Sequence, residues 1–138
     1  NSLHIETVFE NTASQLAATI DGSVGRYRFG DVIPGKRNYR DLFGPLEWLV
    51  KTGLCHKAHL IECDPKLPLK SIVKENFFKL YLFDVGILGH LLEITYREQK
   101  LQEHNIAKGY FAENFVMTEM KSVGLQNIYS WRGRKSEI

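Results

Sequence analysis

Two acids in this chain stand where a carboxylate could do chemistry. Glu113 lies in Gly109-Tyr-Phe-Ala-Glu113-Asn-Phe-Val-Met-Thr-Glu-Met120, where its neighbours at i+3, i+4 and i+7 are Val116, Met117 and Met120. Helical spacing therefore puts its carboxylate on an apolar face, which is costly unless a metal ion or a paired base compensates it. The alternative is a partly exposed Glu in a first turn, favoured by the helix dipole. Glu137 stands in Ser136-Glu137-Ile138, after the strand-like Asn127-Ile-Tyr-Ser-Trp-Arg132. A carboxylate on an apolar helix and a Glu on a following strand can meet at a sheet edge, as metal-dependent nucleases arrange their acidic ligands. Two such carboxylates without a metal raise each other's proton affinity. Glu113→Gln is then expected to leave stability unchanged or to raise it.

A second chemistry lies in Arg26-Tyr-Arg28-Phe-Gly-Asp-Val-Ile-Pro-Gly-Lys36-Arg37-Asn-Tyr-Arg40, where five cations face Asp31 and the following Asp41. Arg28, Lys36, Arg37 and Arg40 are the candidates for contact with DNA phosphates, which position a protein without reading sequence. Asn38 is the one obvious reader of base edges, so such binding should be weakly specific. A solvated face, or a surface that pairs with acidic residues of a neighbouring domain, would use the same residues.

Two further patterns fail on inspection. Gly30-Asp-Val-Ile-Pro-Gly35-Lys36-Arg37 matches a phosphate loop up to the Ser or Thr that should hold Mg²⁺, where Arg37 stands, and Pro34 removes an N–H that should cradle phosphate. Cys55-His56-x-x-His59-x-x-x-Cys63 contains zinc-ligand types. On a strand, however, Cys55, His59 and Cys63 would be spaced at about 13 Å, and metal bonds of about 2.3 Å cannot gather them.

The elements that must position these residues follow from periodicity and punctuation. Leu3, Ile5, Val8 and Phe9 suggest a short helix, and Thr12-Ala-Ser-Gln15 resembles a capping box that starts another, with Leu16 and Ile20 inward. Asp21 to Gly25 is a turn. Tyr39, Leu42, Phe43, Leu46, Leu49 and Val50 recur at helical spacing up to a Gly53 cap, with a kink or restart expected at Gly44-Pro45. Residues 54–63 and 77–83 are predicted as antiparallel strands, with Tyr81, Phe83, Trp48 and Trp131 as core or strand-face aromatics. Asp84 should cap a helix over 84–92. Residues 96–104 are predicted as a polar helix, and 106–123 as the apolar helix of Glu113. Three helices followed by a two-stranded wing are the order of a winged helix-turn-helix.

Hydrophobic content of 43% and charged content of 25% describe an ordinary globular chain, and a net charge of +2 is too small to argue for nucleic acid by itself. Asp84 and His90 interrupt the richest apolar stretch, so no segment reaches the about 20 residues of a membrane span. With no secretory pattern and no disulfide framework, a cytoplasmic protein that does not engage membranes is expected.

Taken together, Lys79-Leu-Tyr-Leu-Phe-Asp84-Val-Gly-Ile-Leu, Gly109-x-x-x-Glu113-Asn-Phe-Val and Tyr129-x-Trp-Arg-x-x-x-Ser-Glu-Ile138 resemble one prokaryotic family. It is the C-terminal region of AAA-type ATPases that carry a domain of unknown function related to PD-(D/E)xK nucleases. The resemblance covers nearly the whole chain and implies that it is a piece of such a protein. The implied fold is α+β, with a winged helix-turn-helix over 1–83 and the start of a truncated PD-(D/E)xK-like α/β domain over 84–138. Glu113 would correspond to the helix acid, and Glu137 to the Glu of a Glu-Ile/Val-Asp strand motif whose Asp and later E-x-K strand are not in this chain. The piece itself is thus expected to have no catalysis, cofactor or metal site, with ATP and Mg²⁺ belonging to the parent. DNA and an upstream ATPase domain are the implied partners. The alternative is a protein-interaction scaffold with a degenerate nuclease-like site.

Overall fold

The first helix is longer than its pattern suggests. In the computed structural model, which describes residues 2–19, 22–94 and 106–132, α1 runs unbroken over Ser2–Ala17. Thr12 does not cap a second helix. Its buried hydroxyl donates to the Val8 carbonyl at 2.8 Å, so the side chain is satisfied inside the helix and no break is needed. Ile20, Asp21, the expected polar helix 96–104 and Glu137 lie outside the described residues.

α2 spans Tyr39–Lys51 and also passes through its expected break at Pro45. Gly44 has no Cβ to clash with the proline ring, and the fully buried Leu42, Leu46 and Leu49 hold both halves of the helix on the core. Its end follows expectation. Gly53 takes φ +79°, its N–H donates to Val50, and the Leu54 N–H donates to Leu49, the bond pair of a Schellman stop. Among the described residues, two helices rather than three thus precede the hairpin.

β1 (Cys55–Ile61) and β2 (Phe78–Leu82) pair antiparallel, with Cys55 opposite Leu82 and His59 opposite Phe78. Asp84 caps α3 (Val85–Leu91), its carboxylate accepting from the Ile87 N–H at 3.2 Å. α4 covers Ile106–Ser122, and β3 (Tyr129–Trp131) pairs parallel to β1, giving the sheet order β2-β1-β3. The described residues are therefore mixed α+β, with four α-helices and one three-stranded sheet.

β2 is at the end of that order, yet all five of its residues are buried. Its outer edge is covered instead of left open. The Tyr27 N–H donates to the Phe78 carbonyl at 2.8 Å. The fully buried Asn114 on α4 accepts from the Leu82 N–H and donates to the Leu82 carbonyl, both at 2.9 Å. A side-chain amide has the donor and acceptor of a peptide unit, so Asn114 serves as one residue of a missing strand. On the α1–α2 face of the sheet, Phe78 packs with Tyr27, Phe29 and Tyr39. Lys57 lies 4.5 Å over the Phe78 ring and 3.3 Å from Glu47.

Candidate functional site

Side chains alternate across a strand, so Lys79 and Tyr81 share the face of β2 opposite to Phe78, Leu80 and Leu82. That face meets α4 at Glu113. The Glu113 Oε2 accepts from the Lys79 ammonium at 3.3 Å and from the Tyr81 hydroxyl. Its Oε1 accepts from the Val24 N–H at 3.2 Å. The Lys79 side chain is 3% exposed and that of Glu113 30%. Glu113 thus sits at the border of the apolar face, since Met117 is buried while Val116 is 54% exposed. Burial first, and then the Glu113 carboxylate, push the Tyr81 phenol well above its ordinary pKa, so it remains a hydrogen-bond donor.

These three side chains join the sheet, α4 and the segment after α1. Gln15 fixes the other end of that segment. Its amide donates to the Arg28 carbonyl at 2.7 Å and accepts from the Arg28 N–H at 2.9 Å. Residues 24–28 become a strap, tied by Glu113 at Val24, by β2 at Tyr27 and by Gln15 at Arg28. Close approach makes the first tie possible: a Cβ on Gly109 would lie 2.5 Å from the Gly22 carbonyl oxygen. Strap, sheet and α4 enclose a cleft of about 1190 Å³. Among its described lining residues are the cations Arg26, Arg28, Lys79 and Arg132 against one carboxylate, Glu113. Val116, Met117, Met120 and Ile128 form an apolar side, and Tyr129 also lines the cleft.

The sequence-predicted residues divide between two places. Arg28 lines the cleft with Glu113, whereas Lys36, Arg37 and Arg40 lie where the chain turns into α2. The Lys36 N–H donates to the Ile33 carbonyl at 3.0 Å, and Gly35 takes φ +81°. Pro34-Gly35 thus has the sequence and sign of a type II turn. Arg37 and Arg40 are exposed. Asp41 accepts from the backbone N–H groups of Arg37 and Asn38, each at 3.3 Å.

Cys55 is fully buried on β1, and burial pushes its thiol up to about 12, while Cys63 is exposed beyond the strand. Sequence reasoning gave Lys79 no role and took Tyr81 as a packing aromatic. The available signal was a lysine inside Phe78-Lys79-Leu80-Tyr81-Leu82, since a buried ammonium requires a partner.

The Mg²⁺ implied for a nuclease-like site can be tested against Glu113. Mg²⁺ needs near-octahedral oxygen coordination. Both Glu113 oxygens accept from protein donors, and an ammonium lies 3.3 Å from one of them. Among the described residues, no group of three His, Cys, Asp or Glu side chains converges. These residues do not fit a divalent cation. The Pro34-Gly35 turn likewise lacks the strand and hydroxyl that an ATP phosphate loop needs. Among the described residues, no helix is long and apolar enough to cross a membrane. No protein-family model, curated protein or solved structure matches the chain.

Proposed function

We propose that this chain is the DNA-contacting part of a cytoplasmic AAA-type ATPase. Its N-terminal part serves as a winged helix-turn-helix reduced, among the described residues, to two helices before its hairpin, its C-terminal part is the start of a PD-(D/E)xK-like domain, and ATP and Mg²⁺ are bound elsewhere in the parent. One observation carries the reading. Lys36, Arg37 and Arg40 stand within a few residues of the start of α2, Arg37 and Arg40 exposed, while Asp41, the acid of that turn, accepts from backbone N–H groups. Cations at a helix N-terminus oppose the dipole. The cations therefore cost helix stability, and with the helix end already capped by Asp41 they would draw phosphates through their own charge.

Duplex DNA should bind at low salt and dissociate as salt rises. Engagement of Lys36, Arg37 and Arg40, the three at the start of α2, would give a slope of log K against log salt of about −2.7, at about −0.9 per phosphate neutralised. The Arg37→Ala plus Arg40→Ala variant should reduce that slope by about two. Absence of low-salt binding, or a slope unmoved in the variant, refutes the reading. The saturated Glu113 carboxylate supports a second reading of the C-terminal part, as an interaction scaffold with a degenerate nuclease-like site. Glu113→Gln in the full-length parent separates the two. Loss of a Mn²⁺-dependent DNA cleavage seen in the unsubstituted parent would refute the scaffold reading.

A further inference from the structure

We infer that the cleft between the strap, the sheet and α4 is a metal-independent binding site for single-stranded nucleic acid. This rests on the nucleic-acid reading above but uses a different surface. Its volume of about 1190 Å³ exceeds the about 300–1000 Å³ usual for small-molecule pockets, leaving room for more than one nucleotide. Its two sides match the two halves of a single strand. Arg26 and Arg28 are exposed on the strap and line the cleft with Arg132, which pairs with Glu62 at 4.0 Å, so the two strap arginines form the cationic track for phosphates. Half-buried Met120 and Tyr129 line it as well, and an aromatic face supports unpaired bases without reading their sequence.

The Glu113 carboxylate that lines this cleft would repel a phosphate or require a metal bridge if it stood alone. Here the Lys79 ammonium, 3.3 Å from Glu113, supplies the positive charge that a divalent ion would otherwise bring. Glu113 is then a positioning residue: through Val24 it holds the strap that carries Arg26 and Arg28.

The test is fluorescence anisotropy with a fluorescein-labelled twelve-nucleotide oligothymidine in EDTA, alongside a labelled duplex of mixed sequence. Binding of the single strand is expected without divalent metal, and inorganic phosphate at equal concentration should compete poorly. Arg26→Ala plus Arg28→Ala should weaken it by about tenfold or more, as loss of charge-assisted phosphate bonds predicts. Arg37→Ala plus Arg40→Ala should change it by less than about threefold. The strap should survive its own substitutions, because Arg28 is held through its backbone. The inference is overturned by single-strand binding that needs Mg²⁺, that inorganic phosphate displaces equally well, or that is unchanged in the Arg26 and Arg28 variant. Single-strand and duplex binding abolished together by the Arg37 and Arg40 variant would overturn it too, while leaving the α2 surface intact as the DNA contact. Loss of duplex binding alone in that variant supports two separate surfaces.

Discussion

The hydrogen bond from Tyr81 to Glu113 can be weighed by a double-mutant cycle. Tyr81 is 4% exposed, so Tyr81→Phe removes the hydroxyl and keeps the ring's packing. A hydrogen bond to a charged group contributes about 1.5–3 kcal/mol. Glu113 retains the Val24 N–H and the Lys79 ammonium and is 30% exposed, so the cost should lie near the lower end, about 1.5–2 kcal/mol. Glu113→Gln keeps the shape and one acceptor but turns an NH₂ group toward donors, which should cost about 2–3 kcal/mol. The two losses share one bond. The double variant should therefore lose about 2.5 kcal/mol instead of about 4, a coupling of about 1.5 kcal/mol. Urea unfolding followed by Trp48 and Trp131 fluorescence measures all four corners, with unchanged slopes confirming a common unfolded state. Additivity within about 0.5 kcal/mol would refute the reasoning. So would a Glu113→Gln variant more stable than the parent, which is what two carboxylates facing each other predict.

Gly109→Ala should destabilise despite the roughly 1 kcal/mol that Ala gains over Gly in a helix. Its Cβ would sit 2.5 Å from the Gly22 carbonyl oxygen, and the backbone displacement should cost about 1–3 kcal/mol beyond that gain; a raised melting temperature would contradict this. Native protein at pH 8 should label at Cys63 and not at Cys55, since a thiol pushed up to about 12 is about one part in ten thousand thiolate there; two fast-reacting thiols per native chain would overturn the buried assignment. Burial lowers the imidazole pKa of His56, with Lys121 adding to it, and burial and Lys57 lower that of His59 against the opposing Glu75 and Glu47. The folded state then binds fewer protons than the unfolded one as pH falls below 6.5, so stability is present above that value and lost below it. Melting temperatures between pH 7.5 and 5 should fall, and the fall should be shallower in His56→Gln plus His59→Gln; equal profiles would exclude the histidines as its source.

Local signals in the sequence were legible where the chain decides locally. The Asp84 cap, the Gly53 stop and the antiparallel pairing of residues 55–59 with 78–82 depend on side chains a few positions apart or on strict alternation. Thr12 and Pro45 misled because burial outweighed their local preferences: one hydroxyl bonds within its own helix, and three leucines hold the other helix together. Glu113 could be recognised as an acid needing compensation, but not what compensates it. Lys79 and Val24 reach it from 34 and 89 residues away, and no periodicity reports such distances. The cleft escaped notice for the same reason. Arg28 and Arg132 belong to different motifs and line one space only after β3 has paired with β1.

The tie between Val24 and Glu113 also bears on how fast the molecule gains and loses its structure. Its span of 89 residues is a little over two doublings longer than the loop closed when His59 pairs with Phe78. At about 0.6 kcal/mol per doubling, closing it costs about 1.3 kcal/mol more chain entropy. The hairpin with α2 behind it is therefore expected to form before α4 docks onto the strap, which places that docking after the rate-limiting barrier as a prediction. A tie absent from the transition state slows escape from the native state without hastening arrival. Weakening it should therefore steepen the loss of structure in denaturant jumps and leave refolding nearly untouched, making Glu113 a determinant of how long the fold lasts.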